Sequence, residues 1–245
     1  VVAVKFFPIL GGDNRTATVQ LLLNAVVEFL PSPLDVPPIE GTNPKTGETE
    51  KRYPKNDEPF SGLAFKVVTD PHVGRLVYLR IYSGTLKAGQ PILNVTKQRQ
   101  ERIGKLVLLH ADQRELIEEA FTGEIVAAVG IKDTTTGDSV SGLAKPLVLE
   151  SISFPEPVIS LAIEPATKSD QEKMGLALQK LSDEDPTFKI KSNYETGQTI
   201  ISGMGELQLE ILVDRMKREF NVDATTGAPQ VAYKETIKKN SEGEG

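Results

Sequence analysis

Two groups of residues have types and spacing that could do chemistry: the adjacent carboxylates Asp183, Glu184 and Asp185, and the cations Lys97, Arg99, Arg102 and Lys105. Neighbouring carboxylates can relay a proton or hold a divalent cation. Because this run ends a helix, where the macrodipole disfavours negative charge, a functional role is one reading, and a solvated acidic corner is the favoured one. Four cations on one hairpin can meet phosphate if they lie close together and unpaired. Glu101 offers to neutralise only one of them, which leaves phosphate contact level with a solvated hairpin. A third feature, Gly203-Met204-Gly205, precedes a helix whose first N–H groups can receive an anion. A plain turn into the helix is the simpler reading.

Counts and spacing remove other chemistries. The chain has no cysteine, which excludes disulfides, thiolate ligands and thiol nucleophiles and fits a reducing, cytoplasmic setting. His72 and His110 lie far apart in sequence and form neither an H-E-x-x-H site nor a Ser-His-Asp set by spacing; they read as structural or surface residues. A nucleotide-hydrolysing site needs a G-x-x-x-x-G-K-[ST] loop, and neither that string nor Asn-Lys-x-Asp occurs. The chain by itself is therefore expected not to be an enzyme, and to hold no metal or cofactor. A net charge of −6 argues against nucleic-acid binding by bulk charge while leaving local basic patches open. With 39% hydrophobic and 25% charged residues, the composition is that of a soluble globular protein, expected as a monomer without membrane contact.

These residues must be positioned by elements, and 245 residues suggest two compact units with partial flanks. Val1 to Phe7 reads as a strand. Val19, Leu22, Leu23, Val26, Val27 and Leu30 follow helical spacing, and Pro31 and Pro33 stop that helix. The stretch 41–58, polar and proline-rich, reads as a linker or ordered connection. Residues 59–150 carry short apolar runs punctuated by glycine, the pattern of a closed β-barrel; Arg114 to Glu119 reads as a short helical turn within it. Residues 151–232 give strand, helix, two strands, helix and strand: Val158–Ile163, a helix from a Ser169/Glu172 capping box, Phe188–Tyr194, Gln198–Gly203, Glu206–Phe220, and a strand around Val222–Tyr233. The expected fold class is thus multidomain, a β-barrel followed by an α+β ferredoxin-like βαββαβ unit. Residues 233–245 read as the start of a further domain or a flexible tail, and 1–40 as the end of a preceding one.

The string Glu195-Thr196-Gly197-Gln198-Thr199-Ile200-Ile201-Ser202-Gly203-Met204-Gly205-Glu206-Leu207 resembles the third-domain signature of bacterial-type translation elongation factor G. Asp185-Pro186-Thr187-Phe188, Gly227-Ala228-Pro229-Gln230-Val231-Ala232-Tyr233, Tyr82-Ser83-Gly84-Thr85-Leu86 and Lys132-Asp133-Thr134-Thr135-Thr136-Gly137-Asp138 are similar to the same family. So is Leu30-Pro31-Ser32-Pro33-Leu34-Asp35-Val36-Pro37-Pro38, at the junction leaving its GTPase domain. The resemblance implies a fragment of a translational GTPase that moves tRNA and mRNA through the ribosome, with a ribosome-recycling or ribosome-protection relative as the alternative. It further implies GTP and magnesium in a GTPase domain not contained in this chain, and a barrel contacting small-subunit rRNA. Lys97, Arg99, Arg102, Lys105, Gly203, Met204, Gly205 and Glu206 are the resulting candidates for ribosome contact. Asp185, Thr187, Gln208, Leu212 and Arg215 match the region where fusidic acid locks the family on the ribosome. Two positions depart from the family: Gln208 stands where histidine is usual, and Leu10-Gly11-Gly12-Asp13-Asn14 stands where the family has a Gly-Ser-Ala guanine-contacting loop.

Overall fold

The computed structural model describes residues 15–70, 73–110, 113–149, 152–167, 170–231 and 235–236, with the backbone alone for 15–18 and His110. The expected strand Val1–Phe7, the Leu10–Asn14 string, His72, Ser169, Tyr233 and the tail from Asn240 lie outside them. Helix α1 (Arg15–Phe29) forms where the apolar spacing places it and ends at Pro31. Its periodic residues Val19, Leu22, Leu23, Val26, Val27 and Leu30 are all exposed, Val27 to 84%.

The stretch expected as a linker contains a hairpin. β1 (Ile39–Thr42) pairs with β2 (Thr49–Arg52), and also with β13 (Val148–Leu149), so it is stitched to the last strand of the following unit. A Cβ on Gly41 would lie 2.5 Å from the Val148 carbonyl oxygen, so only glycine permits this approach. Sequence reading passed over the pair because Thr49-Glu50-Lys51-Arg52 offers no apolar alternation.

The β-rich unit comprises β3 (Ser61–Asp70), β4 (Gly74–Ser83), β5 (Leu86–Lys87), β6 (Pro91–Asn94), β7 (Arg99–Arg102), β8 (Lys105–His110), β9 (Gln113–Ile117), β10 (Glu119–Ala120), β11 (Ile125–Val129) and β12 (Ser139–Ser141). Eight of these strands form one antiparallel sheet, ordered β7-β6-β12-β3-β4-β11-β8-β9, while β5 and β10 pair separately. The sheet encloses one core containing Val67, Leu79, Ile81, Leu86, Ile92, Leu106 and Val126, which is barrel-like. The expected β-barrel is present as this barrel-like sheet, whose end strands β7 and β9 do not pair with each other among the described residues. Both are charged and largely exposed (Arg99-Gln100-Glu101-Arg102; Gln113-Arg114-Glu115), the composition of edges that face water instead of a partner strand. Arg114–Glu119 is likewise strand and not helical turn, because Leu116 and Arg114 stand in register opposite Val107 and Leu109.

The third unit follows the expected order: β14 (Ile159–Pro165), α2 (Asp170–Glu184), β15 (Lys189–Ser192), β16 (Thr199–Gly203), α3 (Glu206–Phe220) and β17 (Ala224–Gly227). Its antiparallel sheet is ordered β15-β16-β14-β17, with the first and third strands central, as a ferredoxin-like unit requires. β17 is shorter than the expected Val222–Tyr233. Leu209, Leu212 and Met216 of α3 share the inward face and pack with Leu178 and Leu181 of α2 and with Phe188. Each fully buried side chain of this size contributes on the order of 2 kcal/mol.

α3 ends on Asn221 in the left-handed conformation, φ 54°, and the Val222 N–H donates to the Met216 carbonyl at 3.2 Å. Asparagine tolerates this conformation better than other side chains. Asn221→Gly should leave stability within about 0.5 kcal/mol of the parent, and Asn221→Ala should lower it by about 1 kcal/mol. Urea unfolding of both variants checks this; equal stabilities would contradict it.

Candidate functional site

The acidic run lies where α2 reaches both β3 and α3, and each carboxylate has a different occupant. Asp183 Oδ2 is 3.9 Å from Nη2 of Arg75, at the start of β4. Glu184 Oε1 accepts the Thr69 backbone N–H at 2.7 Å, and Oε2 accepts Arg215 Nη2 of α3 at 2.8 Å. Asp185 Oδ1 accepts the Thr187 N–H at 2.9 Å and its hydroxyl at 2.7 Å, while Oδ2 accepts Gln208 Nε2 at 2.6 Å. The expected solvated corner is therefore a seam that ties the β-rich unit to both helices of the α+β unit. Arg75 and Arg215 offset the unfavourable placement of three carboxylates at a helix C-terminus. Among the described residues no cluster has the composition of a metal site.

Both arginines are anchored a second time. Arg75 donates from Nη2 to the Thr134 carbonyl at 2.7 Å and from Nη1 to the carbonyls of Ile131 and Lys132, so the seam continues into the loop after β11. Arg215 grips Glu219 one turn further along α3, Nε to Oε1 at 2.7 Å and Nη2 to Oε2 at 2.9 Å. The Arg215 hydrogen bond holds the Glu219 carboxyl below its ordinary range, and the bonds to Glu219 and Glu184 raise the guanidinium's own pKa against the effect of burial.

Gln208 is the hub beside the seam. Its Nε2 donates to Asp185 and, at 2.9 Å, to the Thr187 hydroxyl, and its Oε1 accepts the Met204 N–H at 2.6 Å. Its three hydrogen bonds lock the Gly203–Gly205 turn against the Asp185–Thr187 corner. A Cβ on Gly203 would come within 2.7 Å of Gln208 Oε1, which accounts for glycine there. Of the candidates read from sequence, Asp185, Thr187, Gln208, Gly203 and Met204 are thus brought together. Gly205 is the extended residue before α3, and Glu206 opens that helix with its side chain exposed. Arg215 is joined to this group through Glu184, whereas Leu212 faces the core, only 6% exposed.

The cationic hairpin is arranged otherwise than expected. Glu101 pairs with none of the four cations; it accepts the N–H groups of Lys132 and Asp133 at 2.6 and 2.8 Å and the Thr134 hydroxyl. Lys97 Nζ is held by Asp138 at 2.9 Å, the Asp133 carbonyl and the Thr135 hydroxyl. Arg99 pairs with Asp133 at 3.2 Å, and Arg102 donates to the Gly89 carbonyl at 2.7 Å. Lys105, exposed on β8, has no ion-pair partner among the described residues. A phosphate group would therefore find one cation unengaged and two it would have to win from carboxylates.

Residues 59–143 match the family model "Elongation factor G domain 2", and residues 154–228 match "Elongation Factor G, domain III". Together these spans cover more than half of the chain, in the order that places the Thr69–Glu184 contact between them. The chain belongs to the elongation factor G family. A crystal structure of a protein from Thermus thermophilus is similar over 90% of this chain, at 30% identity and a TM-score of 0.69. The chain covers 31% of that protein's length. In this elongation factor G family member, then, the barrel-like unit is domain II, the ferredoxin-like unit is domain III, and the seam joins II to III. Sequence reading named the run Asp183–Asp185 and Arg215 but passed over their partners Thr69 and Arg75. The available signal was the location of the acidic run, opposed to its own helix dipole with no basic residue in the last turn of α2.

Proposed function

We propose that this chain is the ribosome-binding and relay portion of a translational GTPase that promotes movement of tRNA and mRNA during elongation. The observation that carries the reading is the pair of elongation factor G domain matches, in family order, across one polar seam. GTP and magnesium are bound by a nucleotide domain of the same parent protein, which acts as a monomer in the cytoplasm. Domain II supplies the surface toward rRNA, with Lys105 as the cation of its hairpin group that neither a carboxylate nor a carbonyl engages among the described residues. The Asp185–Thr187–Gln208 corner and the Gly203–Glu206 turn form the ribosome-facing relay of domain III. Among the described residues no helix is long and apolar enough to cross a membrane.

Sedimentation of this chain with 70S ribosomes, and GTP hydrolysis by the full-length parent, test the reading. Ribosome-stimulated hydrolysis with translocation is expected; its absence sinks the proposal, and ribosome splitting without translocation points to the recycling relative. If Lys105 touches phosphate, Lys105→Ala should reduce the slope of log K against log salt by about 1. Lys97→Ala should instead cost about 1 kcal/mol of domain II stability, because it removes the counter-charge of the buried Asp138.

A further inference from the structure

A cavity of about 620 Å³ lies between the segment that follows α1 and the face of domain II. Pro33, Val36 and Pro37 form one wall and Leu63, Phe65 and Ile125 the other, a volume and character suited to a small molecule. Its charge is one-sided. Arg52 and Arg80 both line it, and among the described residues no aspartate or glutamate does.

Arg52 is 5% exposed. Its Nη1 donates to Glu50 Oε2 at 2.8 Å and to the Lys51 carbonyl at 3.3 Å, yet its Nε and Nη2 are buried without a partner. Nε and Nη2 form one edge of the guanidinium, the pair of parallel donors that a carboxylate accepts two at a time. A buried arginine edge with no acceptor is costly to keep unless something accepts from it. Arg80, half-buried on β4, has no ion-pair or hydrogen-bond partner for its side chain among the described residues and adds a second positive group.

We infer that this cavity is a binding site for a small amphipathic carboxylate, its apolar body against the proline and β3/β11 walls and its head group received by the Nε–Nη2 edge of Arg52 with Arg80 alongside. Charge complementarity selects the occupant. Two guanidinium groups facing apolar walls favour an anion with a hydrophobic body over a neutral lipid, and the Glu50 pairing of Nη1 leaves room for one head group only. This site lies apart from the domain II–III seam.

Pyrenebutyrate and its neutral analogue pyrenebutanol separate the terms of the proposal in fluorescence titrations of the 245-residue chain. The acid should bind saturably at one site and at least about tenfold more tightly than the alcohol, the worth of a charge-assisted hydrogen-bond pair. Amide chemical-shift changes should fall on residues 33–39, β3, β4 and β11. Arg52→Lys keeps the charge but removes the paired edge, and Arg80→Met removes the half-exposed cation; each should weaken the acid about tenfold or more and leave the alcohol unchanged. If Arg52→Lys fails to fold, Arg80→Met decides alone. Absence of saturable binding, equal affinity for acid and alcohol, shifts confined to another face, or folded variants that bind as the parent does would each overturn the inference.

Discussion

Glu184→Ala should destabilise the joined domains by about 3 kcal/mol and speed hydrogen exchange at the Thr69 amide. Glu184 accepts from both units, from the Thr69 N–H and from Arg215, and its side chain is 11% exposed against 26% for Arg215. Removing it leaves the Thr69 N–H without its acceptor and takes from Arg215 the counter-charge on domain II's side of the helix, although Glu219 still holds that guanidinium. Glu184→Gln separates the two contributions. An amide oxygen can still accept from Thr69 but no longer balances Arg215, so a loss of about 1 kcal/mol is expected with the Thr69 amide remaining slow. Exchange measured by NMR on the parent and both variants is decisive: a Glu184→Ala protein with unchanged Thr69 protection would show that the seam is not a stabilising contact. On the function proposed above, the same substitution in the full-length parent should reduce ribosome-stimulated turnover while leaving nucleotide binding intact.

Gln208→Ala is expected to cost about 2 to 3 kcal/mol in domain III, more than an ordinary half-buried polar substitution. Three hydrogen bonds are lost together, one of them to a carboxylate, and the Met204 N–H and Asp185 Oδ2 both lose their partner. Gln208→His should fall between. A neutral imidazole has one donor and one acceptor, so it can keep two of the three contacts. Thermal unfolding ranks the three proteins, with the parent first and alanine last. A histidine variant more stable than the parent would mean that the Gly203–Gly205 turn adopts another geometry when the ring is present.

Legibility in the sequence followed the range of the contacts involved. Helix α3 was readable to its ends because Leu209, Leu212, Val213, Met216 and Phe220 recur on one face and Gly205 and Asn221 bound them. The βαββαβ order was readable for the same reason, since period and turn residues are local signals. The Thr69–Glu184 bond spans 115 positions and leaves no local trace, so an acidic run whose partners lie on another unit looked like a solvent-facing corner. The β1–β2 hairpin had a trace of a different kind. Asn43-Pro44-Lys45-Thr46-Gly47 and Asn193-Tyr194-Glu195-Thr196-Gly197 share the pattern Asn-x-x-Thr-Gly, and both close in the same way. In each, the asparagine side chain accepts two N–H groups, and the glycine, at φ 74° and 71°, donates back to the asparagine carbonyl at 2.9 and 2.8 Å. The second copy was read as a hairpin turn because apolar strands flank it; the first was not, because its strands are polar. The cationic hairpin failed for the converse reason. Glu101 is nearest in sequence to the cations, but its carboxylate turns to the Lys132 and Asp133 N–H groups and the Thr134 hydroxyl, leaving the more distant Asp133 and Asp138 carboxylates to pair with them.

Thr69 and Arg75 stand directly opposite each other on β3 and β4, and the adjacent residues Glu184 and Asp183 hold one each. Among the described residues, the hydrogen bonds and ion pairs between domains II and III converge on that single rung. A clasp of this shape resists sliding and separation, because either would break both contacts, but it offers little leverage against rotation. The clasp sits at the tip of the longest hairpin in domain II, so the two contacts hold the end of α2 at one end of β3 and β4 and leave the rest of that hairpin to the barrel-like core.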